Sequence, residues 1–166
     1  MEKTLILGHK NPDTDSICSS IALAEIQRKM TGEEVEAVRL GNINQETEYA
    51  LNYFGVEAQR IIEKVEEGQK VILVDHNEFT QSVEGIEKAK ILGVMDHHKI
   101  ANFQTSEPLF YMAQPVGCTA TIIYEICLMN NIEISKQTAG LLLSAIISDT
   151  LLLKSPTCTP KDIEMA

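Results

Sequence analysis

Apolar positions along this chain fall into two patterns. Short unbroken runs, Leu5-Ile6-Leu7, Val71-Ile72-Leu73-Val74 and Ile91-Leu92-Gly93-Val94-Met95, have the length and branched content of strands covered on both faces. Longer stretches between and after them carry helical spacing. Residues 17–30 have apolar side chains at 17, 21, 22, 24 and 26 and stop at Thr31-Gly32, while residues 44–54 stop at Gly55. Residues 79–89 predict another helix. Pro115-Val116-Gly117 opens two long apolar helices over 119–130 and 135–148. Residues 34–40 read as a second strand and 109–112 as an edge strand, whereas 56–69 has no clear pattern. The alternation predicts an α/β fold, a mostly parallel sheet with helices on both faces and right-handed crossovers.

A parallel sheet lines up the carboxyl ends of its strands, and that is where this sequence concentrates polar chemistry. The first run leads into Gly8-His9-Lys10-Asn11-Pro12-Asp13-Thr14-Asp15-Ser16, a turn before a helix that Asp15 or Ser16 is placed to cap. The central run ends in Asp75-His76-Asn77-Glu78, and the next in Asp96-His97-His98. Asp149 follows the last long helix. An imidazole with two carboxylates suits a divalent ion such as Mn²⁺, Mg²⁺ or Zn²⁺. His9, Asp13, Asp15, Asp75, His97 and Asp149 therefore form a candidate two-metal set, with Asp75 on the central strand as its natural bridge. Each residue also has an ordinary explanation as a turn or cap. His76 and Glu78 are assigned to that class, and Asp96 is expected to orient His97.

At 166 residues the chain suits one domain with a real core. Its net charge of −10 is spread along the sequence and argues against nucleic acid as a partner, since that needs a basic face. Four cysteines, Cys18, Cys118, Cys127 and Cys158, lack paired spacing and read as small buried thiols of a reducing compartment. No leader and no membrane-length apolar run is evident, so the expected location is cytoplasmic. Thr159-Pro160 starts a capped helix that the sequence leaves unfinished, which reads as a piece of a longer protein.

Taken together, the segments around His9, Asp75, Asp96-His97-His98 and Ser148-Asp149-Thr150 resemble the DHH phosphoesterase superfamily, and within it the family II, manganese-dependent inorganic pyrophosphatases. The resemblance runs through Pro115 to Thr121 and Lys154 to Thr159 and so covers essentially the whole chain. It implies one Mn²⁺ held by His9, Asp13 and Asp75, and a second held by Asp15, Asp75, His97 and Asp149. Co²⁺ or Mg²⁺ would be substitutes. His98 would contact pyrophosphate and help protonate the leaving phosphate, and a water between the metals would attack phosphorus. The resemblance also implies a homodimer, and a second domain whose Lys and Arg side chains grip the substrate. The 166-residue chain, 1–166 being the metal-binding domain, is then expected to be weakly active alone. Two other readings are a related phosphodiesterase acting on oligonucleotides or cyclic dinucleotides, and a silent binding module. The complete metal set speaks against the silent module.

Overall fold

The structure, a computed structural model, describes residues 3–166. Five strands, β1 (Thr4–Leu7), β2 (Val35–Val38), β3 (Lys70–Val74), β4 (Lys90–Asp96) and β5 (Phe110–Ala113), form one sheet in the order β2-β1-β3-β4-β5. All neighbours run parallel, as the unbroken apolar runs predict. Five α-helices accompany them: α1 (Thr14–Thr31), α2 (Gln45–Phe54), α3 (Thr119–Met129), α4 (Lys136–Asp149) and α5 (Pro160–Met165). Thr159 caps α5 and Pro160 opens it, as expected.

The order reverses once. The chain steps outward from β1 to β2, returns past β1 to β3, and continues to β4 and β5. Right-handed crossovers taken in opposite directions lie on opposite faces, and the two cores follow that rule. On one face Ile6, Ile72, Val74 and Met95 meet Leu23 and Ile26 of α1, Ile122 of α3 and Ile146 of α4. On the other, Leu5, Leu7, Val71, Leu73 and Val94 pack beneath Ile62, Val65, Val83 and Ile86.

That second face corrects one expectation. Residues 79–89 do not form an α-helix but two 3₁₀ turns, Phe79–Gln81 and Ile86–Lys88. Between them Ser82 is extended and Gly85 sits at φ 85°. The carbonyls a helix would use are committed elsewhere, Gln81 O to Lys10 N–H and Glu84 O to Val65 N–H. These bonds tie the 79–89 segment to the loop after β1 and to the unpatterned 56–69 stretch, so tertiary pairing overrides the local tendency.

A second correction concerns the start of α1. The helix begins at Thr14 rather than Ile17, and its cap is Asp13, which accepts from Ser16 N–H at 2.9 Å, rather than Asp15 or Ser16. Asp15 therefore lies inside the first turn and is fully buried. Gly8 makes this entry sterically workable. A Cβ there would stand 1.8 Å from Ser16 Oγ and 3.0 Å from the Ser16 carbonyl. Gly8→Ala is accordingly expected to destabilise the chain by roughly 1–3 kcal/mol, the usual cost of overpacking. Chemical denaturation with an unchanged midpoint would refute this.

All four cysteines are free; Cys18, Cys118 and Cys127 are buried and Cys158 is half-buried. Among the described residues no helix is long and apolar enough to cross a membrane.

Candidate metal centre

The site lies where the strand order reverses, at the carboxyl ends of β1, β3 and β4, which is where open α/β sheets leave a crevice. Asp75 directly follows β3 with a left-handed backbone, φ 61°, which turns the chain sharply and leaves its carboxylate almost fully enclosed. Such a conformation costs a non-glycine residue about 1–2 kcal/mol and is tolerated best by Asp and Asn.

Around Asp75 the sequence-predicted residues come together in three overlapping groups. His9, Asp13 and Asp75 can offer ligand atoms all within 4.8 Å of one another, as can Asp15, His97 and Asp149, and Asp75, His97 and His98. His9 Nε2 lies 3.2 Å from Asp75 Oδ2 and 3.5 Å from Asp13 Oδ2. On the other side His97 Nε2 lies 3.3 Å from Asp75 Oδ1 and 3.9 Å from Asp149 Oδ2. One carboxylate thus faces two imidazoles with its two oxygens.

Both histidines are oriented through the opposite ring nitrogen. His9 Nδ1 donates to Lys10 O at 2.7 Å and His97 Nδ1 to Val116 O at 3.0 Å. Neutral rings held this way present the Nε2 lone pair to the carboxylates. Facing acceptors of that kind require a cation, either a proton or a metal ion. With the rings neutral, Asp75 Oδ2 is buried with no hydrogen bond reaching it, a state that costs about 1–3 kcal/mol even for an uncharged group. The orphaned oxygen and the mixed nitrogen and oxygen donors fit a divalent ion of the Mn²⁺ type.

Asp15, although enclosed, is well satisfied. It accepts from Thr119 N–H at 2.6 Å, Ala120 N–H at 3.0 Å and Ser19 Oγ at 2.7 Å. The first two belong to the amino terminus of α3, whose unpaired N–H groups favour an anion. Thr119 Oγ1 also donates to Asp75 Oδ1 at 3.1 Å. Thr119 and Ser19 were not singled out from the sequence. Ser19 stands four residues after Asp15 on one helix and was legible in principle; Thr119 is over a hundred residues away.

Asp96 holds His98 rather than His97, correcting a third expectation. Its Oδ1 accepts from His98 Nδ1 at 2.8 Å and from His98 N–H at 3.1 Å, while Asn77 Nδ2 donates to its Oδ2 at 2.7 Å. The reason is chain direction: His98 folds back over the end of β4, and His97 reaches the Val116 carbonyl instead. His76, assigned no ligand role, is buried with Nδ1 donating to Val74 O, and burial lowers its pKa to about 4. Glu78, half-buried 3.6 Å from Lys99, lines a cleft beside Asp75 rather than capping a helix with its side chain. His98 remains half-exposed and, with His9, Asp13, Asn77, Gln81 and Lys99, lines the same cleft, of about 380 Å³.

Charge is strongly coupled here. Burial opposes a charged His9, but Asp13 and Asp75 prevail and hold its imidazolium up to about 11. Burial likewise opposes His97, and Asp75 with Asp15 raises it to about 10. Asp75 itself would be raised by burial, yet the two imidazoliums keep it well below the usual carboxylate range. Burial lifts Asp15 far above that range, with the Asp75 and Asp149 charges adding to the effect. Burial and then the charges of Asp75 and Asp13 push Asp149 up to about 7. A metal-free centre near neutral pH therefore keeps protons where a metal would otherwise sit.

Comparison with known proteins agrees with this geometry. Residues 3–146 match the family model described as the DHH family, N-terminal domain. Over the whole chain the sequence is 60% identical to a protein of Oceanobacillus iheyensis named "Probable manganese-dependent inorganic pyrophosphatase". It is 58% identical to the manganese-dependent inorganic pyrophosphatase of Bacillus subtilis. In each case the match takes in 54% of the relative, so the chain spans about half the length of the curated relatives it matches. A crystal structure of a candidate family II inorganic pyrophosphatase from Methanococcus jannaschii superposes with a TM-score of 0.89 at 47% identity, over 98% of this chain and 54% of that one. With residues 3–146 matched, the chain belongs to the DHH family and carries its N-terminal domain.

Proposed function

We propose that residues 1–166 are the metal-binding domain of a manganese-dependent inorganic pyrophosphatase. The observation that carries this is the shared carboxylate of Asp75, facing His9 on one side and His97 on the other. One ion would be held by His9, Asp13 and Asp75, the other by Asp15, Asp75, His97 and Asp149. When bound, a pair of such ions neutralises phosphoryl charge and lowers the pKa of a water between them.

The chain's own groups supply the rest. The Asp96 carboxylate raises the pKa of His98, which favours a protonated ring at the mouth of the cleft. From there it would contact pyrophosphate and protonate the departing phosphate. Asn77 fixes the Asp96 carboxylate and accepts Ala101 N–H at 3.0 Å, which holds the loop after His98 against the site. Relatives almost twice as long suggest that the cationic grip on the substrate is supplied outside the region matched here. Cytoplasmic location and homodimerisation belong to the same reading, the first supported by the free thiols and the second by the resemblance alone.

The test is calorimetric Mn²⁺ titration together with phosphate release from pyrophosphate, run beside the Bacillus subtilis relative. Two ions per chain and release far slower than the relative's are expected. Binding of one ion or none would refute the two-metal assignment. Release as fast as the relative's would refute the external grip, and cleavage of a dinucleotide with none of pyrophosphate would move the chain to the phosphodiesterases.

A further inference from the structure

The second ligand group is gathered by one short segment, residues 116–120. The Val116 carbonyl accepts from His97, Thr119 and Ala120 N–H groups donate to Asp15, and the Thr119 hydroxyl donates to Asp75. Thr150, next to Asp149, packs so tightly on this segment that a Cβ on Gly117 would meet its methyl at 2.9 Å. None of these bonds reaches His9 or Asp13. Those two are held by the Lys10 carbonyl and the Ser16 N–H respectively.

Behind the segment stands Asp162, fully buried, on α5. Its Oδ2 accepts from Gly117 N–H at 2.8 Å and its Oδ1 from Thr121 Oγ1 at 2.6 Å. Oδ2 also accepts from Thr159 N–H and Thr159 Oγ1, both at 2.7 Å. Burial opposes its charge, but these donors keep the carboxyl below the usual range. An ordinary capping box needs only the bonds to Thr159. The bonds to Gly117 and Thr121 span more than forty residues and are not needed to cap α5. They fix where the first turn of α3 sits, and hence where its N–H groups meet Asp15.

We propose that Asp162 is a positioning residue for the second metal ion, acting through residues 116–121 on Asp15, on His97 and on the Asp75 oxygen that faces His97, without touching any of them. This rests on the two-metal reading above. Its consequence is asymmetric. Loss of Asp162 should loosen the Asp15–His97–Asp149 side while leaving the His9–Asp13 side in place. A purely structural role would weaken both sides together.

The experiment is Mn²⁺ titration by calorimetry, with electron paramagnetic resonance of the loaded samples, on the wild-type chain, Asp162→Asn and Thr121→Val. The wild type should bind two ions and give the spectrum of an exchange-coupled pair. Asp162→Asn should keep one site within about threefold of wild type and weaken the other tenfold or more, the range typical of groups that orient ligands. The coupled spectrum should give way to that of an isolated ion. Thr121→Val, which removes a single bond, should move the same way by less. Wild-type binding at both sites in Asp162→Asn, or parallel weakening of both, overturns the inference. Should Asp162→Asn fail to fold by circular dichroism, Thr121→Val decides, and an unaltered second site there overturns it. A wild-type chain binding fewer than two ions fails the two-metal reading itself and takes this inference with it.

Discussion

Asp75→Asn is expected to abolish paired metal binding while leaving the fold intact. Asn tolerates the left-handed backbone at this position nearly as well as Asp, so the substitution removes charge without forcing the turn to move. Groups that only orient ligands typically contribute 10–100-fold to metal affinity. Loss of the carboxylate shared by both ions should therefore exceed ~100-fold in the affinity of at least one site. A second readout needs no metal. With Asp75 neutral, the proton on His97 loses its main partner and that on His9 keeps Asp13 but loses Asp75, so both pKa values should fall, His97 from about 10 toward the ordinary 6.5 and His9 from about 11 by less. NMR titration of the imidazole protons would show this directly. Two ions bound with unchanged affinity, or a His97 still protonated at pH 9, would contradict the assignment of Asp75 as the bridge.

Mn²⁺ should stabilise the chain strongly, and more so at alkaline than at acid pH. At a hundredfold excess over the dissociation constant, each site adds about 2.7 kcal/mol. Two sites on a domain of this size correspond to a rise in Tm on the order of 10–20 °C, reversed by a chelator. The sign of the pH dependence follows from the raised pKa values. Asp149 contributes to metal-free stability fully below its ordinary 3.8 and loses that contribution as pH rises through about 7. The His9 and His97 contributions are full below 6.5 and are lost progressively as pH rises from there to about 10–11. Between pH 5.5 and 8.5 the metal-free chain therefore weakens, through Asp149 up to about 7 and through His9 and His97 above 6.5, while metal binding strengthens, since ligation must displace the protons. About two protons from the histidines, with more from Asp149, should leave as two ions bind near neutral pH. Calorimetry in buffers of different ionisation enthalpy counts them. A Tm increment that shrinks between pH 5.5 and 8.5 would show the proton assignment to be wrong.

How much of this was legible in the sequence depends on the distance over which each feature is determined. The strands were readable because a strand buried on both faces writes itself as an apolar run, as in Val71 to Val74. The metal set was readable because a parallel sheet aligns strand ends, so position along each strand predicts proximity across strands. The 79–89 segment was not, since its carbonyls bond to Lys10 and Val65, partners that local periodicity does not encode. The cap of α1 lies two or three residues before the expected one because Asp13, Asp15 and Ser16 are all good caps, and only the backbone decides among them. The Asp96–His98 pairing depended on which way the chain turns after β4. Thr119 and Asp162 act across long sequence separations, through backbone donors that leave no mark in residue type.

The backbone of Asp75 also bears on how this position can change over generations. Only Gly, Asn and Asp adopt its conformation cheaply, and only Asp among them brings a carboxylate. Two independent demands, one from the turn and one from the charge, select the same residue. A descendant that gave up metal binding but kept the fold would be released from one demand and still bound by the other. Its expected replacements are Asn and Gly rather than Glu, although Glu would preserve the charge. Which residue a diverged copy carries here would then record whether chemistry or chain geometry was the last constraint to be lost.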